Sequence, residues 1–223
     1  MNTNYVISKG VYYIMKYSSY KSILKKYIRN NYKEYILVCL LFLTGLFIGV
    51  MIINNSSNNK IIEIKTYINE FITRYKQIEN IDEIGLLMQS IKKNIIFATI
   101  LWLAGTTVIG MPIVLIIILL RGTVLGFTIS SITITLGVFK GLAFSIASIL
   151  LQNFIYIPVI LTIGVSSIKL YKSIIKDKRK ENIKLEVLRH TMIFLIMLIL
   201  LVLSSVIENF ITLKILKKII KYF

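Results

Sequence analysis

The sequence has very little of the residue types from which catalytic and metal sites are built. It contains one cysteine, one histidine and two prolines, and it has 10 acidic residues against 27 basic ones. The lone Cys39 excludes a disulfide framework within a monomer. No acidic residue occurs between Glu83 and Asp177, and the histidine is His190. Because metal centres and catalytic triads recruit clusters of these residues, the sequence predicts no catalytic residue, no metal ligand and no cofactor, and therefore no enzyme.

Charge is also scarce over a long central segment. Residues 94–168 carry only Arg121 and Lys140, whereas a soluble domain needs charged surface. A bilayer core about 30 Å thick requires roughly 20 apolar residues per helix, and the two charges divide the segment into three pieces of about that length. The chain is 56% hydrophobic, with a mean hydropathy of +0.77. This combination predicts an all-α, polytopic integral membrane helical bundle.

Five transmembrane helices are predicted, within one membrane domain that covers residues 1–223. The predicted spans are 35–53, 94–120, 122–139, 141–167 and 191–207. The second and fourth spans contain Pro112 and Pro158, where kinks are expected. Amphipathic segments flank the bundle, namely a basic arm at 1–34 and a basic tail at 208–223.

Positive charge sets the predicted orientation. The arm has seven basic residues and the loop at 168–190 has eight, so the positive-inside rule places both in the cytoplasm. The loop at 54–93 has six basic and five acidic residues, and we expect it outside the cytoplasm. With these spans Arg121 lies at the cytoplasmic face and Lys140 at the outer face.

The net charge of +17 does not by itself indicate nucleic acid. In a membrane protein, lysine and arginine mainly set topology and contact anionic lipid, so the predicted partner is the bilayer. The tail, 208–223, carries four lysines and either lies on the outer leaflet or folds back into the membrane.

Glycines at four-residue spacing occur in the predicted spans. The pairs are Gly45 with Gly49, Gly122 with Gly126, and Gly137 with Gly141. On a helix this spacing places two small residues on one face, where another backbone can approach closely. The predicted role is packing within the bundle. Packing against another membrane protein is the alternative, and a homo-oligomer is left open.

The predicted outer loop carries an apolar stripe. Ile64, Ile68, Phe71 and Tyr75 recur there at helical spacing. We expect this helix face to bind a partner outside the cytoplasm. The alternative is that the stripe rests on the lipid headgroups.

The central block also contains a motif that is more specific than its composition. Its residues are Arg121, Gly126, Gln152, Asn153 and Pro158, with Glu208 after the last span. Together with the neighbouring Arg-Gly-x-Val-Leu-Gly-Phe-Thr and Leu-Gln-Asn sequences, this block resembles the stage II sporulation protein M family over roughly residues 90–215. The family usually has proline before Gln-Asn and Thr-Pro after the acidic motif, whereas this chain has Leu151 and Leu213 at those places.

The resemblance implies a role in endospore formation. Members of the family lie in the mother-cell membrane that engulfs the forespore. There they assemble with the sporulation proteins D and P, which cut peptidoglycan, and they act as a scaffold without catalytic activity. A permease-like transport subunit is the alternative, since kinked spans with polar linings also suit a substrate path.

Overall fold

The structure, a computed structural model, describes residues 27–77, 82–146, 148, 151–176 and 180–212. Its regular elements are seven α-helices and one π-helical turn within these ranges. They are α1 (Tyr32–Asn54), α2 (Asn58–Gln77), α3 (Glu83–Gly105), α4 (Gly110–Leu136), α5 (Val138–Ser145), α6 (Leu151–Lys176), α7 (Lys180–Ile207) and the turn Glu208–Thr212.

Five of these helices are long and apolar enough to cross a bilayer, namely α1, α3, α4, α6 and α7. The all-α fold class and the five-span membrane bundle are therefore confirmed. Most of the predicted arm (residues 1–26), the centre of the basic loop (177–179) and the tail beyond residue 212 lie outside the described residues.

The spanning helices run between two ends of the bundle. At one end α1, α4 and α7 finish, α3 and α6 begin, and α2 packs against α4. We call this the α2 end. At the opposite end Glu34 of α1 accepts a hydrogen bond from Lys172 of α6. We call this the Glu34 end.

The predicted boundary between the second and third spans, at Arg121, is wrong. The chain turns instead at residues 106–109, and Arg121 lies inside α4. The turn is fixed by the hydroxyl of Thr107, which accepts a hydrogen bond from the Gly110 N–H at 2.9 Å. Pro112 lies in the first turn of α4, where its missing N–H costs no helical bond, so it helps to start a helix and does not interrupt one.

The predicted third and fourth spans are also displaced. Residues 122–136 of the span predicted at 122–139 form the second half of α4, and the span predicted at 141–167 is divided between the short helix α5 and α6. Lys140 is exposed on α5. Pro158 lies within α6, which continues on both sides of it.

Helix α6 is the central helix of the bundle. Of its spanning window 61% is buried, against 17–28% for the other four spans. Tyr156, Val159, Ile160 and Ile163 are each no more than 2% exposed and belong to the main hydrophobic core. The other four spans therefore pack around α6, and their outer faces are left for lipid.

Helices α1 and α4 pack in parallel at very short distance. A Cβ atom on Gly45 would lie 2.1 Å from the carbonyl oxygen of Leu119, and one on Gly49 would lie 2.1 Å from that of Thr123. Seen from α4, a Cβ on Gly122 would meet the Phe42 oxygen at 2.3 Å, and one on Gly126 would meet the Leu46 oxygen at 2.1 Å. Only glycine permits this backbone-to-backbone contact.

Candidate functional site: a polar pocket in the membrane bundle

Arg121 lies near the middle of a spanning helix. It is 11 residues from the start of α4 at Gly110 and 15 residues from its end at Leu136. At 1.5 Å per residue these separations are about 17 Å and 23 Å, in a bilayer core about 30 Å thick. A cationic side chain at such a depth is costly and usually marks a functional site.

Two aromatic rings hold the guanidinium of Arg121. Its Cζ atom lies 4.5 Å from the ring centroid of Tyr156 on α6 and 6.0 Å from that of Phe97 on α3. The two rings stack on each other with centroids 6.1 Å apart. The negative faces of aromatic rings attract a cation, and this attraction is stronger away from water. Both rings therefore orient Arg121 toward the space between α3, α4 and α6.

This space is a pocket of about 430 Å³ that opens at the α2 end. Its lining comes from α3, α4, α6 and the π-helical turn, and consists of Leu86, Gln89, Ser90, Lys93, Asn94, Phe97, Arg121, Tyr156, Glu208 and Asn209. From Leu86 to Phe97 the pocket follows α3 for roughly 16 Å. Leu86, Gln89 and Lys93 are exposed at its rim, whereas Asn94 and Tyr156 are buried.

Hydrogen bonds between α3 and the end of α7 shape one wall of the pocket. The hydroxyl of Ser90 donates to Oε2 of Glu208 at 2.5 Å, and one turn deeper the amide of Asn94 donates to the hydroxyl of Ser205 at 2.8 Å. The π-helical turn continues α7 with an altered register, and it places Glu208 and Asn209 toward α3.

The pocket carries more positive than negative charge. Its charged groups are Arg121, Lys93 and Glu208. Among the described residues the ion pairs are Arg74–Glu70, Lys172–Glu34 and Arg189–Glu186, so neither Arg121 nor Glu208 belongs to one. The ranges that the structure describes also contain no cluster of three potential metal ligands. A wall rich in hydrogen-bond donors with surplus positive charge is suited to binding an anion.

A second polar cluster lies toward the Glu34 end. Nδ1 of His190 on α7 is 2.8 Å from the Ser166 hydroxyl on α6, and the indole N–H of Trp102 donates to Thr191 at 3.3 Å. His190 is only 2% exposed, so its ring is buried between the helices. A Cβ on Gly105 would meet Ser167 at 2.2 Å. This cluster joins three helices closely and leaves little free space.

The structure brings two of the six family-motif residues together in the pocket. Arg121 and Glu208, which are 87 positions apart in sequence, both line it. Asn153 is buried on α6, one turn before Tyr156. Gln152 lies in the first turn of α6, but its side chain is outside the described residues. Gly126 contacts α1, and the Pro158 oxygen accepts a bond from Thr162.

The third glycine pair does not form a shared packing face. Gly137 lies between α4 and α5 with φ +84°, and a Cβ there would meet nothing within 4 Å. Positive φ favours glycine, so Gly137 serves to turn the chain. Gly141 does pack closely, because a Cβ on it would lie 2.5 Å from Cα of Thr133.

The structure turns the predicted docking stripe toward the bundle. Ile64, Ile68 and Phe71 line a cavity of about 760 Å³ between α2, α4 and α5, together with Ile72, which is 6% exposed. The opposite side of the cavity comes from Phe127, Ile132 and Phe144. The side chain of Tyr75 lies outside the described residues.

Sequence reasoning missed the α3 side of the pocket. Ser90, Asn94 and Phe97 recur at spacings of four and three, so they share a helix face. That pattern was available in the sequence, but the predicted start of the second span at residue 94 separated Ser90 from the other two. No sequence pattern indicated a role for Tyr156 in the pocket, since it lies within an apolar run.

A comparison with protein-family models matches residues 38–213 to the family described as stage II sporulation protein M. The chain belongs to this family. Neither the curated proteins nor the solved structures gave a match. The match spans from α1 to just beyond the π-helical turn, so it includes the whole polar pocket. Family membership and the five spans together make the chain a multi-pass sporulation membrane protein.

Proposed function

We propose that this protein is the non-catalytic membrane scaffold of a sporulation complex that remodels peptidoglycan while the mother cell engulfs the forespore. In this proposal the α2 end faces the wall space, as the near-neutral charge of residues 54–93 predicts. Its partners there are wall hydrolases of the sporulation protein D and P type. The membrane is the mother-cell membrane that surrounds the forespore.

The observation that carries this proposal is the position of α2. One face of the helix, with Ile64, Ile68 and Ile72, packs against the spans at the α2 end. The opposite side of the helix is exposed, and its polar residues include Thr66, Asn69, Glu70 and Thr73. A helix that is anchored by one face offers a fixed surface on the other, as a scaffold requires. We therefore expect partners to contact the polar face of α2 rather than its apolar stripe.

A permease-like transport subunit is the second candidate, and the depth of the polar pocket is the observation that favours it. A substrate path would have to continue from Arg121 to the Glu34 end. The next layer of side chains below the pocket includes Leu101, Ile118 and Ile163, which are each at most 1% exposed. This closed layer supports a binding pocket more than a path.

The scaffold proposal is tested by placing charge on the exposed face of α2. Asn69→Lys with Thr73→Lys should leave insertion and bundle packing unchanged, because both side chains are exposed. Recovery of the wall hydrolases with the tagged protein from sporulating cells should fall about tenfold, as when an interface loses a residue that contributes strongly to binding.

The matched control is Ser57→Lys with Asn59→Lys, which adds the same charge at the same end of the bundle. It should retain hydrolase recovery. The proposal fails if the α2 variant reaches the membrane at normal levels and still recovers its hydrolases as well as the control does.

A further inference from the structure

The guanidinium of Arg121 has no carboxylate partner within the described part of the chain. Glu208 lines the same pocket, but its carboxylate accepts from Ser90 and is not within ion-pair distance of Arg121. Aromatic rings reduce the cost of burying a guanidinium but do not neutralise it. An intramembrane arginine is stabilised when water or an anionic headgroup reaches it. Within the described residues the pocket therefore presents a cation that an entering anion could neutralise.

The donor groups of the pocket fit a phosphate better than a single carboxylate. Arg121 offers five N–H donors in a planar fork and Lys93 offers three, and both residues line the pocket. A carboxylate presents only two acceptor oxygens. The phosphodiester of a lipid headgroup presents two charged oxygens, which arginine binds through two parallel hydrogen bonds, and two ester oxygens beside them.

The shape of the pocket fits an amphiphilic ligand. Its rim at the α2 end has the exposed residues Leu86, Gln89 and Lys93, and its wall includes the apolar ring of Phe97. Basic pockets between spanning helices bind anionic lipid headgroups. We propose that the pocket binds the phosphate headgroup of an anionic membrane lipid, with Arg121 as its main contact and Lys93 at the entrance.

The proposal is tested on the full-length protein in detergent by native mass spectrometry with added phosphatidylglycerol or phosphatidylcholine. Wild type should retain phosphatidylglycerol about tenfold better than phosphatidylcholine, and Arg121→Gln should lose that preference, because a charge-assisted hydrogen-bond pair is removed. Arg74→Gln, an exposed change on α2, is the matched control and should keep the preference. Inorganic phosphate at the same concentration should not displace the lipid, since it lacks the apolar part.

A variant with the opposite expected sign separates lipid binding from a purely structural role. Glu208→Gln removes the negative charge from the pocket, and its amide oxygen can still accept from Ser90. It should therefore bind phosphatidylglycerol more tightly than wild type. If Arg121→Gln does not fold, as judged by size exclusion and the fluorescence of Trp102, the comparison of Glu208→Gln with wild type alone tests the proposal.

Three results would overturn the proposal. The first is equal retention of both lipids by wild type, and the second is unchanged or weaker binding by Glu208→Gln. The third is displacement of bound phosphatidylglycerol by an acidic peptide at a lower concentration than added phosphatidylglycerol needs for the same displacement. That result would assign the pocket to an acidic protein partner.

Discussion

Two consecutive residues of α4 face opposite kinds of environment. Gly122 points toward α1, where a single added carbon would collide with the Phe42 carbonyl at 2.3 Å. Arg121 points toward α3 and α6, where a pocket of about 430 Å³ is lined by polar side chains. At the contact with α1 the helix has room only for glycine, whereas on the side of Arg121 there is room for a ligand.

The difference shows how this bundle separates stability from binding. In a membrane, helices associate through close packing rather than through the hydrophobic effect, and the glycine face supplies that packing. The polar face contributes fewer and weaker contacts, because its groups line a space instead of filling it. Variants on the two faces of α4 should therefore differ in kind, with loss of stability on the α1 side and loss of binding on the α3 side.

The largest effect is expected on the glycine face. Gly126→Leu would place Cβ 2.1 Å from the backbone oxygen of Leu46. Because that atom is backbone, α1 and α4 would have to move apart to relieve the clash, and their close contact would be lost. We expect a loss of about 3 kcal/mol in the free energy of unfolding, at the upper end for overpacking. Unfolding in mixed detergent micelles and protease resistance of the solubilised protein measure it.

Val124→Leu is the matched control for this change, because Val124 is 56% exposed on the same helix. Its effect should stay within about 0.5 kcal/mol. If the two variants are equally stable, the α1–α4 contact is looser than the structure has it, and the contrast between the two faces of α4 is lost.

Much of the fold follows from the sequence, but the polar pocket does not. The first span agrees within a few residues, because Asn54 and the following polar residues end it clearly. The boundary predicted between the second and third spans was wrong, because Arg121-Gly122 has the charged and small residues expected at a membrane face. The actual turn at 106–109 contains the apolar Val108 and Ile109. A charged residue marks a membrane boundary only when no group inside the bundle can stabilise its charge. Here the rings of Phe97 and Tyr156 stabilise the guanidinium of Arg121 within the bundle.

Glycine spacing has a similar limit. The pattern predicts that two glycines share a face only if a helix continues between them. It holds for Gly45 with Gly49 and for Gly122 with Gly126, whose helices are unbroken. It fails at Gly137, where the chain turns with φ +84°. The partner of each glycine face depends on tertiary packing, which spacing along one helix does not determine.

A smaller effect is expected from the hydrogen bonds of the pocket wall. Ser205→Ala removes the acceptor of the Asn94 amide, which is 7% exposed and donates at 2.8 Å. Hydrogen bonds between spanning helices contribute about 0.6 kcal/mol on average and up to roughly 2 kcal/mol. We expect a loss of about 1 kcal/mol, measured by the same unfolding assay.

The control for this bond is Ser56→Ala, whose hydroxyl lies just after α1 and donates to the Ile52 carbonyl of that helix. A double-mutant cycle with Asn94→Ala isolates the interaction between α3 and α7. Additive effects in that cycle would show that the bond does not hold the pocket wall in place.

The smallest effect is expected for the ion pair at the Glu34 end, which supplies a water-exposed comparison for the charge of Arg121. Nζ of Lys172 lies 2.5 Å from Oε1 of Glu34, but the lysine side chain is 50% exposed and the glutamate 16%. Solvent screens such a pair, so Glu34→Gln should cost no more than about 0.5 kcal/mol, and the cost should shrink as salt is raised. Unfolding of wild type and Glu34→Gln at low and high salt measures this. A loss of stability larger than that of Ser205→Ala, or one that salt does not reduce, would mean that the Glu34 end is shielded from water as the pocket is. Depth in the membrane would then not explain why the Glu34–Lys172 pair and Arg121 differ.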